Sequence, residues 1–511
     1  MESALSPDVL SHVRLPLHSL LAVSETSKAL WHLINAPNND CAIWRPIYRQ
    51  IFNKKTNHDV LTSPRIQSYR LLCASRMQDA AAWRTRANVA RVYEAAATQT
   101  SSAATTLVCF ALTPSHVPPT AAMSAGNAVH IFEPFKVKYE PCILEGCANS
   151  TVGGGCVTAL TAVPACGEDD DAHTCCFLAG YASGDVGVHT ASSRKHVTAT
   201  AAFKDKHVGG VTRIVALDGG TSCAAVSCSD NGVLKLFGIE KSKSKKNTFI
   251  CRRTALATVR AHGRGVSAAC DASHGTAPAL ATADRSGKVK LWDVTSGLRC
   301  VSSSRMSTSS TTVHSLCTIE DGLLCAAGSG GAWLLDMRCG PRAAVACVVT
   351  RRRMSCAVSH GRSLALGGTC GGAIFDTRML MSGNASRESA ICTLDRSDDD
   401  DGQGMLDMHL DSRKLVARVD GTVRAYNPDD GSERALSVSR WDDEATGLGG
   451  GLASSVCVRG ARCTIGMRDG TSLSVNFLNA EESRHDPASS CDEPLEGRFW
   501  QSRRNTTVDV R

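Results

Sequence analysis

The sequence predicts a mainly β fold of repeated antiparallel units, preceded by a short helical segment. Three observations carry that prediction. Polar turn clusters recur between runs of alternating apolar residues, the period-2 pattern of antiparallel strands. One such unit is complete near the middle of the chain and returns in degraded form across residues 103–479. Apolar residues in the first fifty positions follow a helical spacing instead.

A chain of 511 residues is long for one ordinary core, but repeats escape that limit because each buries its apolar face against its neighbour. Glycine is frequent, at 43 residues, and aromatics make up only 5%. That balance suits many short strands joined by turns.

The complete unit is residues 280–299, LATADRSGKVKLWDVTSGLR, two strands around the turn Asp284-Arg285-Ser286-Gly287 with a second turn at Thr295-Ser296-Gly297. It resembles a WD repeat, whose third strand ends in Trp-Asp, here Trp292-Asp293. The corresponding positions elsewhere are Phe132, His189, Phe237, Leu335, Phe375, Tyr426 and Val475, spaced about 40 to 57 residues apart. The resemblance implies a seven- or eight-bladed WD-repeat β-propeller over 101–480. His207 and His262 each stand thirty positions before a marker aromatic, Phe237 and Trp292. In WD repeats such a histidine belongs to a structural hydrogen-bond network, so both are expected to be structural. Ser286 occupies the place of that network's aspartate, and Asp284 lies two residues earlier.

The N-terminal segment reads as helices. Ser6-Pro7-Asp8 has the form of a helix start and Pro16 ends or bends that helix. Residues 5–52 are similar to an F-box, a small all-α adaptor-binding module, through Pro7, Val9, Leu10, Val13, Leu15, Pro16, Leu20, Leu21, Val23, Ser27, Trp31, Leu33, Trp44 and Tyr48. The stretch from Val13 to Pro16 is about two residues shorter than the usual pattern, and Ser27 replaces a cysteine. The resemblance makes Pro7, Leu10, Leu15, Pro16, Leu20 and Leu21 the adaptor contacts, with Trp31 and Trp44 mainly core. Residues 65–97, rich in alanine and arginine, are expected to form linker helices. The division is therefore 1–55 F-box-like module, 56–100 helical linker, 101–480 propeller and 481–511 polar tail. F-box proteins with WD repeats share this layout.

Serine-rich or charged stretches at 241–246, 302–312 and 398–401 are expected to be solvated loops. The net charge of +7 is mild and argues against a nucleic-acid partner. No apolar run reaches the length of a membrane helix, and Met1 to Ser11 lacks the pattern of a secretory signal, so a cytoplasmic or nuclear place is expected. The 24 cysteines include no C-x-x-C pair. Cys223, Cys270, Cys325 and Cys356 sit in strand-like runs and read as core.

Catalytic motifs are missing. The glycine clusters 153–155 and 367–372 lack a P-loop lysine and read as tight turns. Residues 168–176, EDDDAHTCC, hold potential metal ligands, but consecutive carboxylates do not converge easily, and an acidic loop before a buried strand is the better reading. No catalytic residue, metal or cofactor is expected. Binding is expected instead, through loop arginines that suit carboxylate or phosphate: Arg213, Arg264, Arg285, Arg351 and Arg378. The resemblance implies a non-enzymatic substrate receptor of a cullin–RING ubiquitin ligase. Its partners would be the ligase adaptor with its cullin complex, and a protein substrate bearing acidic or phosphorylated groups. The alternative is a WD-repeat scaffold of another complex.

Overall fold

The computed structural model describes residues 43–44, 89–94 and, apart from short internal stretches, 106–476. Among the described residues the strands form eight antiparallel sheets. In most, four consecutive strands pair in chain order, as in the fourth sheet: Val266–Asp271, Ala279–Asp284, Lys288–Asp293 and Arg299–Arg305. The eight inner strands are Val108–Phe110, Val157–Ala162, Val211–Asp218, Val266–Asp271, Val313–Glu320, Met354–His360, Met405–Leu410 and Ala453–Arg459. Each packs against the next, and the last returns to the first, so the sheets close into a ring. The architecture is a β-propeller, which removes most sheet edges and gathers loops on two faces.

The core is a circle of layers between neighbouring sheets. Val226, Leu234 and Leu236 of the third sheet meet Val266, Leu280 and Trp292 of the fourth. Leu323 and Leu334 of the fifth meet Leu364 and Phe375 of the sixth in the same way. All eight marker positions occupy the same place in their sheets. Trp292 pairs with Leu280, Phe237 with Ala225, Leu335 with Leu324, Phe375 with Leu364, Tyr426 with Leu415 and Val475 with Cys463. Phe132 and His189 sit likewise opposite Ala121 and Phe177. Cys325 and Cys356 are buried and Cys270 half-buried, while the buried Cys223 is disulfide-bonded.

Seven inner strands carry a bulge at their second residue: Thr158, Thr212, Ser267, His314, Ser355, Leu406 and Ser454. An extra residue twists the strand and re-aims its side chain. Polar groups at or beside the bulge then reach the next sheet. Thr158 donates to Val211 O at 2.5 Å and Thr212 to Val266 O at 2.8 Å. Ala357 N donates to Ser315 Oγ, and Val456 N to Asp407 Oδ2. Ser455 Oγ donates to Thr106 O at 2.8 Å and accepts from Val108 N, joining the last sheet to the first.

The structure departs from the expected linker helices at Val89–Glu94, which is a strand. It pairs antiparallel with Thr471–Asn476 as the outermost strand of the eighth sheet, Val89 opposite Asn476 and Glu94 opposite Thr471. Alanine and arginine favour helix only weakly, and β-branched Val89 and Val92 with Tyr93 suit the free ladder offered there. The serine-rich stretch 302–312 also departs from its expected loop: residues 302–305 belong to the outer strand Arg299–Arg305. The F-box-like segment lies outside the described residues, apart from Ile43 and Trp44 in one helical turn, both 3% exposed. No helix of the described residues is long and apolar enough to cross a membrane.

Candidate functional site

The two loop histidines are buried in structural networks. His262 Nε2 lies 2.8 Å from Thr282 Oγ1, which also accepts Trp292 Nε1–H at 2.8 Å. On the other side His262 Nδ1 lies 3.3 Å from Asp284 Oδ2. Asp284 Oδ1 accepts Ser286 N, Ser286 Oγ and Lys288 N. The network's aspartate is therefore Asp284, and Ser286 is its donor. Burial pushes the Asp284 carboxyl up, but hydrogen bonds from His262, Lys288 and Ser286 outweigh it and hold it well below the usual carboxylate range.

The third sheet keeps half of this arrangement. His207 Nε2 meets Ser227 Oγ at 2.6 Å, while Phe237, lacking an N–H, stacks on Phe203 with centroids 4.0 Å apart. Burial, aided by the charge of Lys235, lowers the His207 pKa to about 4 against the pull of Asp230. The second sheet rebuilds the link from other residues. Tyr181, at the aspartate position, and His189, at the tryptophan position, meet at 3.4 Å between Oη and Nε2. Burial lowers His189 to about 4 and, with Asp185, raises Tyr181 to about 12.

The five arginines expected to bind a ligand do not form one set. Arg264 and Arg285 come together on the face that carries the loops leading into the inner strands, where Arg285 N donates to Arg264 O. Arg213 is exposed at the third residue of its inner strand, and its charge acts on Asp407 in the inner strand of the seventh sheet, across the ring. Arg378 follows the third strand of the sixth sheet, on the opposite face, and is ion-paired with Asp376. Arg351 lies outside the described residues.

Arg264 lines a cleft of about 470 Å³ together with Gly263, Asp284, Ser286, Lys288, Ser303, Ser304 and Arg305. Lys288 and Arg305 carried no signal in the sequence, because the first lies in a strand and the second in a stretch expected to be loop. Antiparallel pairing of Lys288 with Arg305 brings them to one end of the fourth sheet. Among the described residues no group of His, Cys, Asp and Glu converges as metal ligands. The acidic stretch 168–173 lies outside them, and Cys175 and Cys176 that follow are buried in a strand.

No family model and no curated protein matches the chain. Solved structures do. Sqt1 from Saccharomyces cerevisiae aligns with a TM-score of 0.55 at 12% identity, over 77% of this chain and 100% of that one. The computationally designed Ika8 protein aligns with a TM-score of 0.50 at 12% identity, over 75% of this chain and 99% of that one. At such identity the likeness shows the fold: a mainly β protein, a propeller of WD-repeat type.

Proposed function

We propose that the chain is a protein-binding platform that presents a substrate to a cullin–RING ubiquitin ligase. The observation that carries the platform reading is the ring itself, a rigid scaffold whose loops gather on one face around unpaired cations. The ligase reading rests on the F-box resemblance of residues 5–52, with Pro7, Leu10, Leu15, Pro16, Leu20 and Leu21 as adaptor contacts. Such a receptor accelerates transfer by proximity, with no chemistry of its own side chains.

Co-purification of the full chain with the ligase adaptor tests this. Leu20→Asp and Leu21→Asp are expected to abolish the association and leave the thermal stability of the propeller unchanged. Retention of the adaptor by both variants, or its absence from the native complex, leaves the second reading, a WD-repeat scaffold of another assembly.

A further inference from the structure

We propose that the cleft on the fourth sheet is a phosphate-binding site, and that its ligand is a phosphoserine- or phosphothreonine-bearing segment of a partner protein. The proposal deepens the platform reading and rests on it. Arg264, Lys288 and Arg305 are exposed, and all three side chains converge on one cleft of about 470 Å³. Among the described residues none of them has an ion-pair partner. Exposed cations elsewhere do: Arg338 meets Asp336, Arg378 meets Asp376 and Lys206 meets Asp185.

The one carboxylate in the lining, Asp284, is occupied by His262, Ser286 and Lys288 N, so it leaves the three cations uncompensated. Ser286, Ser303 and Ser304 add hydroxyls to the same lining. Guanidinium and ammonium groups with hydroxyl donors are the chemistry that holds a phosphate dianion. A nucleic-acid backbone asks for cations repeated along a path, whereas these meet at one point. Beyond the turn 230–232, which packs against both leading loops, Val208 stands 97% exposed. It offers an apolar contact to a residue flanking the phosphate.

Fluorescence anisotropy with the full chain tests the proposal. The probes are degenerate labelled peptides centred on phosphoserine, and the same peptides without phosphate. The phosphorylated set is expected to bind more tightly and to be displaced by inorganic phosphate. Arg264→Ala, Lys288→Ala and Arg305→Ala should each weaken it roughly tenfold. Arg378→Ala, on the other face, should change nothing, and unaltered melting temperatures separate lost binding from lost folding. Equal affinity for both peptide sets overturns the proposal. So does binding only of polyuridine, inositol hexakisphosphate or phosphoinositide-containing phosphatidylcholine vesicles. Peptide binding without adaptor association sinks the ligase reading alone. Adaptor association with equal binding of both peptide sets sinks the cleft alone.

Discussion

Thr282 shows how much one hydroxyl carries in the fourth sheet. It serves His262 and Trp292 at once, and both partners are almost fully buried. Thr282→Val leaves two buried polar groups unmatched and is expected to cost roughly 2–4 kcal/mol in denaturant unfolding. Trp292→Phe keeps most of the packing, as Phe237 does in the third sheet, and should cost nearer 1 kcal/mol. Equal costs would mean that the network adds nothing beyond packing. The histidine positions were legible in the sequence because their thirty-residue spacing from the aromatic survives. The identity of the aspartate was not, because only the fold shows that Asp284 points back at His262 while Ser286 turns toward Asp284.

Protonation probes the same residues. His189 and His207 bind protons near pH 4 when folded and near 6.5 when unfolded. Between those values the unfolded chain holds more protons, so stability falls as pH drops from about 6.5 to about 4, then levels. Each histidine contributes at most about 3 kcal/mol to that loss. Urea midpoints measured across this range should flatten in His189→Phe and His207→Phe. An unchanged slope in both variants would sink this account.

Among the elements, the closing strand Val89–Glu94 contradicts local propensity most openly. Its residues read as helix because the partner that selects the strand, Thr471–Asn476, lies almost 380 residues away. No window of sequence contains both. Alternate N–H groups of a strand face its partner, so Arg91→Pro and Val92→Pro should differ. One is expected to remove a ladder hydrogen bond, costing about 1 kcal/mol plus local misfit, and the other far less. Thermal melts of the two full-length variants check this; indistinguishable values would show that the strand adds no stability. The turn glycines behave oppositely and are visible in every repeat. Gly232 has φ +84, and a Cβ there would stand 2.0 Å from His262 O, so the turn excludes side chains. The second-residue bulges left no trace, since threonine, serine, histidine and leucine all occupy that place.

At the scale of the molecule, the repeat count was legible and the joints between repeats were not. All eight marker positions fall at one structural place although only one is tryptophan, because a buried apolar group suffices for the layer between sheets. The joints vary: threonine hydroxyls bridge the second, third and fourth sheets, Asp407 the seventh and eighth, and Ser455 the eighth and first. The cleft was half legible, with Arg264 in a loop sequence and Lys288 and Arg305 hidden in strands.

The register of the closing strand also fixes where the chain enters and leaves the disc. Val89 opposite Asn476 puts both ends of the propeller at one corner of its rim. Whatever residues 1–88 grasp and whatever the tail after Asn476 carries are thus tethered to a common point. A label or fused domain at either end would report on the same neighbourhood, and a short peptide joining the two ends would yield a circular chain without crossing the ring.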